Sequence, residues 1–332
     1  MNPTVYSVVF ASEAHASLLL AALPQPSIRV HNRAAFVAET AKPGAVAFVD
    51  CDLFHEIEYD IATVPVVGIV DDSQSETLRK AVRAFASYPW LSHVVVSTML
   101  SSPLAQSHLA RLLERLPSGP ARSMLGVAGV GRVALLTQAS RREARLDRMR
   151  EFFAKHGLSE RTISTIADVS EELVTNALYD APVEAGFFKA AIPRTEDVAL
   201  PAERACEISY GIDDGIVFVR LRDTFGALTR PRLLGVLTRC NTRSVKLDES
   251  RGGAGLGLWR VFSAASTLAI TIDPGCSTDI LIGIATKEGR LLKQLLAVDL
   301  YFVVKTTSSL VPFAPYDEAE MMDESVTLVR SS

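Results

Sequence analysis

The stretch that most constrains the fold reads Arg251-Gly-Gly-Ala-Gly-Leu-Gly-Leu258. Its four glycines leave backbone N–H groups accessible, and the apolar segment Leu258–Ala265 that follows is typical of a helix. A glycine loop that leads into a helix N-terminus suits a chain of phosphates, because bare amides and the helix dipole both favour negative charge. A flexible hinge or close helix packing would need the same glycines. No Gly-Lys-Ser/Thr follows, so the stretch is not a P-loop, and no early βαβ unit surrounds it as in a Rossmann fingerprint.

A second feature lies further upstream, in Glu172-Leu-Val-Thr-Asn176. Ser159 can cap the helix predicted here, which runs to about Tyr179, and Pro182 is predicted to prevent its continuation. The Glu and the Asn then share one helix face. An Asn oxygen can coordinate Mg²⁺, and a neighbouring Glu could orient or deprotonate an attacking group. The alternative is an exposed helix face, where Glu and Asn are commonplace.

A third feature is Asp223, which closes the predicted strand Ile216–Arg222 and precedes Thr224-Phe225-Gly226. An acidic residue at a strand end can accept a hydrogen bond from an adenine amino group. The alternative is a turn, where Asp and Gly are favoured for backbone reasons. None of the three features indicates a function by itself. Their order along the chain is more informative.

That order resembles the GHKL ATPase superfamily, and Arg141–Ala181 looks most like its anti-sigma-factor or serine-kinase branch. In that branch an amphipathic helix, a Gly-Leu-Ser turn and Glu-Leu-Val-Thr-Asn-Ala follow one another, as they do here. Gly275-Cys-Ser-Thr278, which enters a late strand, adds to the likeness. The resemblance covers roughly Gly126–Ala285, about half of the chain. It implies an α+β two-layer sandwich, the Bergerat-type ATP-binding fold.

The resemblance implies ATP and Mg²⁺ as cofactors and a role for individual residues. Asn176 matches the magnesium-coordinating Asn, and Glu172 matches the general base of the branches that have one. Asp223 matches the adenine-reading Asp, and Thr278 matches a hydroxyl near the adenine. The other cofactor-binding residues belong to the two glycine boxes: Gly226, Gly253, Gly255, Leu256 and Gly257.

The first glycine box departs from the usual Asp-x-Gly-x-Gly. Phe225 and Ala227 stand in the glycine places, and we expect the Phe to narrow or re-aim the adenine pocket. Ala227–Gly252 takes the place of the lid. Its arginines could pair with phosphates or form a solvated surface; they are Arg230, Arg232, Arg239, Arg243 and Arg251.

The first 117 residues alternate β-branched runs with helical patterns, which predicts a doubly wound α/β sheet. Asp50, after the predicted strand Ala45–Val49, resembles the phosphate-accepting Asp of response-regulator receiver domains. Ala11 and Ser12 stand where that family holds magnesium with an acidic pair. We therefore predict a pseudo-receiver used for docking or dimerisation. The other predicted elements are the strands Val5–Phe10, Val64–Val70 and His93–Ser97 and the helices Ser75–Ser87 and Pro103–Leu116.

These patterns predict four segments: a receiver-like domain over 1–117, a linker over 118–125, a GHKL ATPase-like domain over 126–305 and an acidic tail over 306–332. A net charge of −4 without a basic block argues against nucleic acid as a partner. No apolar run reaches the roughly 18 residues of a membrane-spanning helix. The four scattered cysteines and the lack of a signal peptide indicate a cytoplasmic protein.

The leading hypothesis is a cytoplasmic signalling regulator that binds ATP–Mg²⁺ and controls a protein partner by Ser/Thr phosphorylation or nucleotide-dependent sequestration. The resemblance implies an anti-sigma antagonist, a sigma factor or another signalling protein as the partner, and it leaves a homodimer open. The alternative is a non-catalytic scaffold in which the receiver and ATP pockets are both degenerate. An orthodox histidine kinase is a third interpretation.

Overall fold

The chain divides into two units in this computed structural model, Met1–Arg122 with Leu295–Tyr301 and Ser123–Gln294 with Phe302–Ser332. The structure describes residues 5–23, 26–57, 64–71, 77–97, 100–103, 106–107, 109–110, 113, 130–213, 215–240, 256–287, 290–291, 297–302 and 327–330. The predicted linker, Gly253, Gly255 and most of the predicted tail lie outside these residues. Within the described part of the chain, no helix has the length and apolar character needed to cross a bilayer.

The first unit contains a parallel sheet with the strand order β2-β1-β3-β4-β5, one of the common doubly wound orders. Its middle strands are buried along their whole length, which is why they appear in the sequence as uninterrupted apolar runs. The strands are β1 Tyr6–Phe10, β2 Ser27–Arg29, β3 Ala45–Asp50, β4 Val66–Val70 and β5 His93–Val96. The strand Ala297–Phe302 lies within the range 126–305 that is predicted to form the second domain, yet it pairs antiparallel with β5.

Side chains cover both faces of this parallel sheet. Val9 and Phe48 share one buried cluster with Leu19 of the first helix. On the opposite face of the sheet, Gly68 lies close to Phe54. A Cβ added to Gly68 would come within 2.9 Å of the Phe54 ring. Each fully buried side chain of this size contributes about 1.5–3 kcal/mol. The helices are α1 Glu13–Ala22, α2 Arg33–Thr40, α3 Phe54–Ile57 and α4 Thr77–Ser87.

The second unit contains an antiparallel sheet with the order β6-β7-β8-β10-β9. All five strands are predicted by the apolar runs of the sequence, with ends that differ by two residues at most. The predicted bounds are Arg132–Thr137, Cys206–Ile212, Ile216–Arg222, Thr267–Asp273 and Asp279–Ala285. They are β6 Val130–Leu136, β7 Cys206–Asp213, β8 Ile216–Asp223, β9 Thr267–Asp273 and β10 Ser277–Lys287. Two short strands extend it: Arg290–Leu291 pairs with β10, and Thr327–Arg330, inside the predicted tail, pairs with β6.

Helices pack against the antiparallel sheet of the second unit. The rings of Phe152 and Phe153 lie 5.4 and 5.7 Å from that of Tyr210 on β7. The Ser159 hydroxyl accepts the N–H of Thr162 and caps a helix, as predicted. The prediction of an α+β arrangement is therefore confirmed at this coarse level. The helices are α5 Arg142–Lys155, α6 Glu160–Thr175, α7 Ala181–Glu184, α8 Arg230–Cys240 and α9 Leu256–Ala264.

The prediction that Pro182 ends the helix is wrong. A π-helical turn, Asn176–Asp180, follows α6, and α7 then continues with Pro182 in its first turn. Proline is tolerated there because a first-turn amide has no acceptor within its own helix. Single π-turns are frequent at functional sites, and this one begins at Asn176.

Candidate functional site

Asp223, the last residue of β8, is a buried carboxyl with only 6% of its surface exposed. Its Oδ1 atom accepts the N–H groups of Phe225 at 2.8 Å and Gly226 at 3.1 Å, and that of Thr278 on β10 at 3.3 Å. Burial raises the pKa of this carboxyl, and the three hydrogen bonds oppose that rise. The turn predicted as the alternative for Asp223 is therefore present.

Two threonine hydroxyls beside Asp223 are buried and make no hydrogen bond within the described part of the chain. They belong to Thr224 and Thr278, and Thr278 is 3% exposed. The Thr278 hydroxyl lies close enough to lower the pKa of Asp223, but it lacks hydrogen-bonding geometry. An unsatisfied buried polar group costs about 1–3 kcal/mol.

Gly226 is held in a conformation that only glycine adopts without strain. Its φ angle is 58°, and a Cβ would overlap the carbonyl oxygen of Asp273 and come within 2.8 Å of the Cys276 amide. Its own carbonyl accepts the N–H of Gly275 at 3.2 Å. Gly226 therefore joins the end of β8 to the β9–β10 turn through backbone contacts alone.

Phe225, which occupies a glycine place of the predicted motif, packs against two neighbours. Its ring centroid lies 5.6 Å from that of Phe187, and the guanidinium carbon of Arg204 lies 5.4 Å from it. Only 3% of Phe225 is exposed. These contacts place the ring in the core of this region. The expected narrowing or re-aiming of an adenine pocket by Phe225 stays a prediction.

Glu172 on α6 and Gly257 on α9 are brought into direct contact. A Cβ on Gly257 would overlap the carboxyl group of Glu172. Gly257 is the second residue of α9, and Leu256 begins that helix. The structure thus joins the Glu-x-x-x-Asn helix to the helix that follows the glycine loop. Gly253 and Gly255, predicted to contact phosphates, lie outside the described residues.

Carboxylates and arginines form ion pairs at the π-helical turn that begins at Asn176 and at α7, which follows it. Asn176 itself is half-buried. Asp180 pairs with Arg194 at 3.5 Å, and Glu184 pairs with Arg232 of α8. Burial raises the pKa of both Asp180 and Glu184. Arg232, for which the sequence allowed either a phosphate contact or a solvated surface, has a carboxylate partner in Glu184.

A magnesium site in this region would rest mainly on Asn176. No group of three or more His, Cys, Asp or Glu side chains able to hold a metal is found among the described residues. Mg²⁺ is usually held by one or two protein groups together with phosphates and water. An Asn oxygen at the phosphate end is compatible with that mode of binding.

Asp50 in the first unit already has partners for both carboxyl oxygens. Oδ2 accepts the N–H of Ser12 at 2.8 Å, and Oδ1 lies 2.7 Å from Nδ1 of His15. The residue is 7% exposed. Sequence reasoning missed His15, although its place three residues after the helix-capping Ser12 puts it in the first turn of α1. The carboxylate is therefore used to hold α1 against the end of β3.

No model of a known protein family matches the chain, and no curated protein matches it. What the structure establishes is the architecture: a parallel α/β unit and an antiparallel sheet packed with helices.

Proposed function

We propose that the protein is a signalling regulator whose second unit is a GHKL-type, Bergerat-fold domain that binds ATP with Mg²⁺. The contact between Glu172 and Gly257 is the observation that carries this proposal. It joins two motifs that are far apart in the sequence, at the N-terminal turn of a helix. Such a turn favours an anion through its free amides and its dipole. The first unit would then be a receiver-like domain that serves docking.

Each end of the site would bind a different part of the nucleotide. Asp223 would accept the adenine amino group beside the Thr278 hydroxyl, and the first turn of α9 would face the phosphates. Asn176 would provide an oxygen to Mg²⁺. Bound ATP would supply a transferable phosphoryl group. Phosphoryl transfer depends mainly on positioning and electrostatics, so Glu172 as acceptor of a hydroxyl proton would complete a minimal kinase site.

The partner would be a protein, controlled either by Ser/Thr phosphorylation or by nucleotide-dependent sequestration. An anti-sigma antagonist or a sigma factor fits the branch that the sequence resembles. The scaffold alternative draws support from Asp50, because Ser12 and His15 engage both of its carboxyl oxygens. A carboxylate held in this way is a poor phosphate acceptor, which favours a docking role for the first unit.

Nucleotide-induced stabilisation of the full chain tests the proposal. ATP at 100 times its dissociation constant, with Mg²⁺, would add about 2.7 kcal/mol to the free energy of unfolding. Asp223→Ala and Asn176→Ala should abolish this gain. Asp168→Ala, at an exposed position on α6, should retain it. Absence of any gain in the wild type would rule out the ATP-binding function.

A second experiment separates the kinase from the scaffold. The chain is incubated with γ-labelled ATP, Mg²⁺ and a candidate partner recovered by its binding to the chain. Acid-stable label on the partner supports Ser/Thr phosphorylation. Binding that depends on ATP without transfer of label supports sequestration.

A further inference from the structure

We propose that His15 in the first unit is a phosphorylation site. Its Nε2 atom accepts a phosphoryl group from a donor with a nitrogen–phosphorus bond, as in a phosphorylated histidine of a partner protein. Asp50 is the positioning residue that holds the imidazole ring. The proposal goes beyond the function proposed above, because it assigns chemistry to the first unit and does not depend on ATP binding by the second.

The hydrogen bonds of Asp50 determine which ring nitrogen of His15 carries the lone pair. Oδ2 of Asp50 accepts the N–H of Ser12 at 2.8 Å, and Oδ1 lies 2.7 Å from Nδ1 of His15. An ionised carboxylate has no hydrogen to donate, so Nδ1 supplies the hydrogen of this bond. In the neutral ring the lone pair is therefore on Nε2.

The Nε2 atom of His15 can be reached by a small reagent. Within the described part of the chain it makes no hydrogen bond, and 18% of the His15 side chain is exposed. The Ser12 hydroxyl caps α1 by accepting the backbone N–H of His15 at 3.4 Å. The backbone of His15 is thus held at the start of α1, and its ring is held by Asp50.

A nucleophile beside a base, with the base oriented by a third group, is the arrangement used in covalent catalysis. Here the Nε2 lone pair forms a bond to phosphorus, the nitrogen–phosphorus bond of the donor breaks, and its electron pair leaves with the donor nitrogen. His15 loses no proton, because Nδ1 keeps its hydrogen. The ring becomes positively charged, and the Asp50 carboxylate, 2.7 Å away, stabilises that charge.

The other nucleophiles at this end of β3 are less suited to the reaction. Both oxygens of Asp50 are hydrogen-bonded. Burial raises the pKa of the Cys51 thiol, so the thiol stays protonated and unreactive. The carboxylate of Glu13, two residues before His15, is paired with Arg29, which reduces its repulsion of an anionic donor. Of these side chains, His15 is therefore the one expected to react.

His156 provides a matched control within the same chain. Its Nδ1 lies 2.7 Å from the carbonyl oxygen of Phe152, so its ring is held by a neutral acceptor, and the residue is exposed. The full chain is incubated with phosphoramidate, a small donor with a nitrogen–phosphorus bond, and peptide mass spectrometry follows each histidine. We expect His15 to be phosphorylated at least about tenfold faster than His156, although His15 is less exposed.

Asp50→Asn should slow the phosphorylation of His15 at least about tenfold. The Asn amide can present an N–H to Nδ1, which selects the tautomer whose Nε2 carries the hydrogen. The rate at His156 should stay the same. Asp52→Asn, at an exposed carboxylate two residues on, should leave both rates unchanged. Circular dichroism checks that each variant is folded, and the comparison of His15 with His156 in the wild type needs no variant.

Phosphorylation of His15 no faster than that of His156 would overturn the inference, and so would an unchanged rate in folded Asp50→Asn. Modification of Asp50 would also overturn it. Alkali distinguishes the two products, because it cleaves an acyl phosphate and leaves phosphohistidine intact. Fast phosphorylation of His15 in a chain that ATP does not stabilise would support this inference and refute ATP binding, so the two proposals can fail separately.

Discussion

The Asp223 carboxylate is hydrogen-bonded to the backbone amide of Thr278 on the neighbouring strand, with 3.3 Å between Oδ1 and N. The same oxygen accepts the amides of Phe225 and Gly226. One buried oxygen therefore holds the end of β8, the following turn and the start of β10. Burial raises the pKa of Asp223, so its ionised form is disfavoured in the folded state, and the three backbone amides offset part of that effect.

We expect Asp223→Asn to fold at least as stably as the wild type at pH 7 and to lose stabilisation by ATP. The Asn oxygen can still accept the three amides, whereas its amide nitrogen cannot accept a hydrogen bond from adenine. Thermal unfolding with and without Mg²⁺-ATP measures both effects. Stabilisation by ATP equal to that of the wild type would contradict the assigned role of Asp223.

The difference in stability between Asp223→Asn and the wild type should depend on pH. The pKa of Asp223 is raised above its ordinary value of 3.8, so the folded state holds this proton more tightly than the unfolded chain. Stability from the protonated carboxyl is present below that ordinary value and is lost as pH rises through the raised pKa. The advantage of Asp223→Asn in urea unfolding should therefore grow from pH 4 towards pH 7. A constant difference over this range would contradict the prediction.

Gly226→Ala should destabilise the second unit by at least about 2 kcal/mol, because the positive φ and the overlap with the Asp273 carbonyl both oppose a Cβ. Gly235→Ala is the control. Gly235 lies within α8 with open space around it, so alanine should stabilise by about 0.5–1 kcal/mol. Urea unfolding followed by Trp259 fluorescence in a Trp90→Phe background reports on the second unit alone. Equal effects of the two substitutions would refute the close approach at Gly226.

Phe225→Ala should cost about 3 kcal/mol of stability without tightening ATP binding, since the ring packs between Phe187 and Arg204. Phe187→Ala, at a side chain that is 44% exposed, should cost about 1 kcal/mol or less. Urea unfolding and ATP calorimetry on the same samples separate packing from access. Tighter ATP binding in Phe225→Ala would show that the ring obstructs the nucleotide.

Asp50→Ala should destabilise the first unit by about 2 kcal/mol, because the Ser12 amide and the His15 ring both lose their acceptor. Asp52→Ala, two residues on and exposed, should have little effect. Trp90 fluorescence in a Trp259→Phe background follows the unfolding of this unit. A similar loss in both variants would contradict the structural role of Asp50.

Much of the fold could be predicted because its determinants are local. The apolar runs of β3 and β4 indicated strands buried on both faces, and Ser159 marked the start of α6. The three-residue strand β2 was missed, because so short a segment carries no periodicity. The continuation of the helix through Pro182 was also missed, since the preceding π-turn at Asn176 places the proline in a first turn.

The residues of the candidate site remain a prediction from the sequence, and only some of their contacts could be anticipated. Sequence order picked out Glu172, Asn176, Asp223 and Thr278, and the structure pairs Asp223 with Thr278 through a backbone amide. The sequence did not predict that the Glu172 carboxylate touches Gly257, nor that Arg232 is paired with Glu184. Such contacts depend on how α6, α8 and α9 pack, which no local pattern specifies.

The sequence by itself determined where most of the longer strands and helices lie and which polar residues stand at their ends. Backbone preferences and burial patterns act over a few residues, so they are legible in the chain. Tertiary structure alone decided that His15 engages Asp50 and that the carboxylate of Glu172 reaches the first turn of α9. These contacts join segments that are far apart in the sequence. Their geometry depends on how whole helices and strands pack, because that packing sets the distance between the two side chains or between side chain and backbone.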